Sequence, residues 1–279
     1  MSTRILIAAS LFTLLLTSTA RAEDDGTIPG FDFPAVETTA KPGDKVFGVN
    51  RTMYDKLAAK ADSTVIFYSG DLLEAGPKTS KFKSASKESV APNSLIIAIP
   101  KGGSAKLGDT VIAPWGGGMM RALVVEAKNR KQPKVLFLDL DYDNPAKNKE
   151  GVGVAQQEET LQPDTFKVIG KPFDPGSMVT CKAGKDHLVG HLIRVAGDKA
   201  LMLGHAGRLK AFAKADCTAL DPKPKLKAGD KIFANFVGGL KPATVVKVDN
   251  KIGRVWVTFE FIKNKEYAKA FGLVAAKLP

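Results

Sequence analysis

The densest run of potential ligands in the chain is Asp139-Leu140-Asp141-Tyr142-Asp143-Asn144, followed by Glu150. Its acids occupy positions one, three, five and twelve of the calcium-loop template, a spacing that wraps oxygens around a hard cation. Asn144 stands where that loop needs glycine, and Lys147 and Lys149 bring unwanted positive charge. The run therefore reads first as alternating exposed acids at a strand end, and second as a calcium loop. A hydrolase using this cluster, with Asp139 as its test residue, is the one enzymatic reading. His187 and His191 lie on one face of a segment that alternates like a strand, with His205 nearby. Three histidines without a paired carboxylate read as surface residues ahead of a zinc site. No nucleophile elbow, Walker loop or zincin helix occurs, so no catalytic residue, metal or cofactor is expected and the chain is not expected to be an enzyme.

The elements that would position such residues begin after an address. Arg4, the apolar run 5–16 and Ala20-Arg21-Ala22 read as a signal peptide, residues 1–22, cleaved after Ala22. The apolar run is too short for a permanent membrane span, and no later run approaches the roughly 20 residues needed. A periplasmic or secreted protein is expected. In that oxidising setting Cys181 and Cys217, an even pair within one short stretch, read as a disulfide.

Without Arg4 and Arg21 the 41 basic residues become 39, against 29 acidic ones, a bias that favours acidic partners. The charge is uneven. Residues 23–42 hold five acids and one lysine, whereas residues 223–279 hold twelve basic and four acidic side chains. The acidic leader would then rest on a basic surface, or the last quarter would face a polyanion. Most of the cations are lysine, a hydrated point charge that suits diffuse attraction better than bidentate reading. A solvated, solubilising surface is the plainer account.

One phrase recurs four times: Lys41-Pro42-Gly43-Asp44, Lys106-Leu107-Gly108-Asp109, Asp174-Pro175-Gly176-Ser177 and Lys227-Ala228-Gly229-Asp230, each followed by a β-rich segment. The glycines are 65, 68 and 53 residues apart, the mark of one unit copied along the chain. Alternation and turn residues place strands in the first copy at 45–49, 63–68 and 94–99, with a short helix near 53–61 and a lysine- and serine-rich insertion at 78–89. The second copy has strands at 110–115, 120–127, 134–142 and 165–169. The third has 178–183, 188–195, 200–204 and 209–217. The fourth has strands through 232–236, 243–248 and 253–259, then a short helix and closing strand in 267–278. The division is an acidic extended leader (23–42) and four repeats (43–104, 105–170, 171–222 and 223–279).

Residues Gly229-Asp230-Lys231-Ile232-Phe233-Ala234-Asn235-Phe236 and Lys241-Pro242-Ala243-Thr244-Val245-Val246-Lys247-Val248-Asp249 resemble the Tudor family of Src-homology-3-like small barrels. Gly108-Asp109 through Trp115, with Asp141-Tyr142-Asp143-Asn144, carries the same likeness in the second repeat. The resemblance implies an all-β fold of four tandem small Tudor-like β-barrels, each closed on itself, after the signal peptide. It also implies an aromatic cage that holds a methylated cation by ring-face attraction. Its walls would be Trp115 and Tyr142 in the second repeat, where Met120 and Asp139 replace further aromatics. In the fourth they would be Phe236 with Phe259 or Phe261, where Lys241 replaces an aromatic. Ordinary packing of Trp115, Phe236 and Trp256 is the alternative.

The function these readings point to is an exported, non-catalytic binding or scaffold protein that contacts envelope polymers or protein partners. The alternative is a polyanion binder, for nucleic acid or acidic polysaccharide, acting through Lys241, Lys247, Lys251, Lys263 and Lys265.

Overall fold

A computed structural model describes residues 25–139, 157–262 and 265–278. These residues form strands throughout, with one α-helix among them. The first unit comprises β1 (Lys45–Val49), α1 (Arg51–Ala59), β2 (Phe67–Ala75), β3 (Thr79–Ser84), β4 (Lys87–Pro92) and β5 (Ile96–Ala98). The second comprises β6 (Thr110–Trp115), β7 (Gly118–Glu126), β8 (Lys134–Phe137), β9 (Glu158–Thr160) and β10 (Lys167–Val168). The third has β11 (Met178–Ala183), β12 (Asp186–Ala196), β13 (Lys199–Leu203), β14 (Leu209–Ala213) and β15 (Cys217–Ala219). The fourth has β16 (Lys231–Phe236), β17 (Gly239–Asp249), β18 (Arg254–Phe259), β19 (Glu266–Ala270) and β20 (Val274–Ala275). All ladders are antiparallel. In every unit the first strand pairs with the second and the fifth, and the second, third and fourth form a meander.

The recurring glycine is explained by one hydrogen-bond pattern made four times. Gly43, Gly108, Gly176 and Gly229 have φ of 85°, 79°, 94° and 89°, which a side chain would resist. Their N–H groups donate to the carbonyls of Leu72, Val124, Leu192 and Val245 on the second strand. Those four residues donate back to Asp44, Asp109, Ser177 and Asp230. In each second strand the register then slips by one residue, at Leu72/Glu74, Val124/Glu126, Leu192/Arg194 and Val245/Lys247. A bulge at that point bends and twists the strand, so each small sheet curls.

The curl stops short of the closed barrels expected from the sequence. Among the described residues no ladder joins a fourth strand to a fifth, and the units merge instead into two ten-stranded sheets. The first sheet is joined by Tyr68 opposite Gly118, and the second by Leu188 opposite Gly239. In both, the tight turn between a unit's first two strands docks on the second strand of the preceding unit. Ser69 donates to Gly117 at 2.9 Å and Val189 to Gly238 at 2.8 Å. The turn needs positive φ at both central residues. Gly116 and Gly117 supply it in the first sheet (54° and 82°), whereas Val237 and Gly238 do so in the second (48° and 81°). A β-branched residue at positive φ is strained, and Val237 is 69 % exposed, so its side chain returns little by packing. Val237→Gly is expected to stabilise the protein by about 1 kcal/mol, read as a higher urea midpoint.

Three further expectations need correction. The strand expected at 63–68 begins only at Phe67 and runs to Ala75, and the supposed insertion at 78–89 falls mostly within the hairpin β3–β4. Ser80 and Phe82 point inward there between half-buried or exposed Thr79, Lys81 and Lys83, so the alternation is real but its polar face is lysine. The last segment contains β19 and β20 and no helix. The short helix near 53–61 is present as α1, capped by Asn50, whose side chain accepts from the Met53 N–H.

Each unit has its own interior: Val46, Leu72 and Phe82 in the first, Val111, Val135 and Phe166 in the second, Val179, Leu192 and Met202 in the third, Ile232, Val257 and Phe259 in the fourth. Between units lie further apolar seams. The largest joins Phe47, Phe67 and Ile97 of the first unit to Ile193, Leu201 and Leu209 of the third, with Ile28 and Phe33 of the leader sealing it. This is why β1 is buried on both faces and lacks alternation. The leader has no regular secondary structure from Gly30 to Lys41, and it rests on the first and third units rather than on the basic last one, with Asp32 2.5 Å from Lys199. Thr64 bridges to Arg208, reinforcing the contact between first and third units. Second and fourth units meet through Leu123, Leu138 and Ala270. The units thus form a ring of contacts, not a rod.

Candidate functional site

Aromatic residues gather at one end of the fourth unit. Phe236 ends β16, Phe259 ends β18, Phe261 follows in the turn and Tyr267 lies near the start of β19. Phe236 has its ring centroid 5.1 Å from both Phe259 and Phe261 and 5.9 Å from Tyr267, all edge-on. That geometry suits ring quadrupoles and locks the group together. Phe259 is buried and forms its base, whereas Phe261 is 56 % exposed. Lys265 lies over the Tyr267 ring at 4.8 Å, and Lys269 lies 5.4 Å from it. The cluster therefore already holds ammonium groups of its own chain against its ring faces.

Of the sequence candidates, Phe236, Phe259 and Phe261 are brought together here. Trp115 is not; it stands in the second unit, edge-on to Phe137 at 6.4 Å. Tyr142 and Lys263 lie outside the described residues. Tyr267 was missed, although its place in an alternating segment after a lysine-rich turn was a usable signal. Of the candidate lysines, Lys241, Lys247, Lys251 and Lys265 lie within the described residues. Lys241 pairs with Asp186 of the third unit at 3.2 Å, and Lys247 stacks on Trp256 at 4.1 Å. The backbone N–H of Lys251 donates to Asp249.

A second constellation sits where the second, third and fourth units meet, and nothing in the spacing of its residues announces it. Arg121 of β7 is 1 % exposed and forks onto Asp139, with Nε 3.0 Å and Nη2 2.5 Å from Oδ1. The Arg121 Nη1 donates to the Phe271 carbonyl of the fourth unit at 2.8 Å. In the opposite direction Arg254 of β18 donates to the Leu138 carbonyl at 2.7 Å. His191 of β12 brings Nε2 to 3.5 Å from Asp139 Oδ2. Both Asp139 oxygens are thus engaged by Arg121, an arrangement that ties units together and leaves the carboxylate poorly suited to proton transfer. Burial opposes the Asp139 charge, but Arg121 and His191 outweigh it and hold the carboxyl down to about 2. Burial pushes the His191 imidazole below its usual range against the pull of Asp139.

These shifts set a pH dependence of one sign. The unfolded His191 takes up a proton before the folded one, so its contribution is intact above about pH 6.5 and declines as pH falls through that value. Asp139 contributes above about pH 4, and that part is lost as pH falls from there to about 2. Urea midpoints measured from pH 8 to pH 3 should fall in both windows. His191→Gln should abolish the first fall and keep the second.

The histidines do not form a zinc site: among the described residues no group of three or more His, Cys, Asp or Glu side chains is placed to hold a metal ion. Only Asp139 of the acid run lies within the described residues, so the calcium-loop reading falls outside them. Cys181 and Cys217 are bridged. They sit directly opposite each other on β11 and β15, with Cα atoms 4.0 Å apart. Reduction is expected to lower stability by about 2–4 kcal/mol, seen as a downward shift in thermal midpoint that Cys181→Ala/Cys217→Ala reproduces without reductant.

Among the described residues no helix is long and apolar enough to cross a membrane. Compared with known proteins, the chain matches no family and no curated sequence.

Proposed function

We propose that the chain is an exported, non-catalytic binding or scaffold protein of four Tudor-like small-barrel units, which contacts envelope polymers or protein partners through the aromatic end of its fourth unit. The observation that carries this reading is the Phe236, Phe259, Phe261 and Tyr267 cluster, whose outermost ring is exposed and whose base is fixed by burial. A ring held ready in this way offers stacking area at little entropic cost. The recurring 5-1-2-3-4 strand order, with the first strand between second and fifth, agrees with the small-barrel likeness. The engagement of Asp139 by Arg121 speaks against a hydrolase built on the acid run. The test is retention on immobilised envelope polymer, comparing wild type with Phe261→Ala, a change at an exposed ring that leaves the interior intact. At least a fivefold loss is expected; equal retention would remove the aromatic end from the reading.

A second reading, polyanion binding, is favoured by the excess of lysine in residues 223–279 and by Lys265 beside the rings. It predicts affinity that falls steeply between about 50 and 200 mM salt. Binding insensitive to salt would count against it.

A further inference from the structure

A cavity of about 300 Å³ lies in the seam between the second, third and fourth units, separate from the aromatic end. Its wall is mainly apolar, with Ile169, Pro172, Met178 and Leu220 contributed by the two connecting segments and the third unit. The polar groups among its lining are few and mostly donors. That combination, at a junction of units and at the small end of the usual volume range, is the physical description of a small-molecule site.

One of the polar groups owes its availability to a departure from the repeat. In the first, second and fourth units the aspartate after the glycine closes its own turn, accepting the N–H of Lys41, Lys106 or Lys227. In the third unit that position is Ser177, whose side chain makes no such bond; the Asp174 N–H donates to the Lys171 carbonyl, and the Asp174 carboxylate accepts from Gly170 and Lys171 in the preceding turn. The Ser177 hydroxyl is left out of the turn. It is buried in the cavity lining at 6 % exposure and has no hydrogen-bond partner. Thr110, in the same lining at 3 % exposure, has an unpartnered hydroxyl as well. An unpartnered buried hydroxyl carries a desolvation cost that a bound acceptor would relieve.

The third group is Arg121. Its bonds to Asp139 and to the Phe271 carbonyl engage three of the five guanidinium N–H groups, leaving one on Nη1 and one on Nη2. Gly272 keeps that guanidinium uncovered: a Cβ built there would lie 2.5 Å from Nη1. Lys171 adds a cation to the lining, while the Asp221 carboxylate already accepts the N–H of Lys223.

We infer that this seam binds a small aliphatic carboxylate, its chain against Ile169, Met178 and Leu220 and its head toward Arg121, Thr110 and Ser177. Donors in excess of free acceptors select an anionic head, and the apolar wall selects the body. Calorimetric titration of the full chain with octanoate tests it, with octan-1-ol and octanamide as uncharged controls. One site is expected for octanoate, with both controls at least tenfold weaker. Ser177→Ala and Thr110→Val should each weaken octanoate about fivefold while leaving the thermal midpoint unchanged or raised, because each deletes an unpartnered buried hydroxyl. Ala219→Phe, which places a ring in the cavity, should abolish binding. Absence of octanoate binding, equal binding of octanamide, or undiminished binding by a folded Ser177→Ala/Thr110→Val double variant would each overturn the assignment.

Discussion

Arg121→Met is expected to destabilise the protein by about 3–5 kcal/mol, the range for removing one partner of a buried ion pair. The side chain is almost fully buried, and its loss strands the Asp139 carboxylate at 15 % side-chain exposure, faced among the described residues by His191 and the Arg121 backbone N–H. It also removes the bond to the Phe271 carbonyl, one of the polar links from the second unit to the fourth. The two effects separate in a double variant. Arg121→Met/Asp139→Leu removes both charges, so the stranded-carboxylate part should be recovered and the cross-unit part should remain. Urea unfolding at pH 7 supplies the values. A single variant within 1 kcal/mol of wild type, or a double variant no better than the single, would show that the pair is not what binds these units.

The cross-unit bond made by Arg121 was invisible in the sequence for a physical reason. Arg121 and the residue whose carbonyl it reaches are 150 positions apart, and both become neighbours only after two ten-stranded sheets have packed. Gly43, Gly108, Gly176 and Gly229 were legible because positive φ is a local demand that few residues meet. Phe236, Phe259 and Phe261 were legible as rings at strand ends; that Trp115 stands apart from them depends on unit placement, which carries no local signature. The β3–β4 hairpin was hidden because its outward residues are lysines, which read as a solvated insertion. Closed barrels were expected because the resemblance to small barrels was carried over unit by unit, without the docking of one unit's turn on its neighbour's second strand. Those dockings turn the expected separate barrels into two continuous sheets.

The same dockings give the other large prediction, with its own internal control. Gly117 and Gly238 occupy one position in equivalent turns, with φ of 82° and 81°, so an alanine suffers the same backbone strain at either. That shared part is about 1–2 kcal/mol. Their surroundings differ. A Cβ at Gly117 meets nothing within 4 Å, whereas one at Gly238 lies 2.5 Å from the His205 Cβ. His205 begins the Gly204–Arg208 loop of the third unit, whose far side is held by Thr64 and by the Gly207 carbonyl bonded to Val65. The loop has little room to yield, so the clash must be relieved by lifting the turn from β12 and breaking the Val189 to Gly238 bond. Gly238→Ala should therefore cost about 2–3 kcal/mol more than Gly117→Ala, the range for overpacking a rigid site. Adding His205→Gly to Gly238→Ala removes the opposing Cβ and should return most of that difference. Equal losses for the two alanine variants would mean that the turn of the fourth unit does not press on the third, and the second sheet would lose its joint.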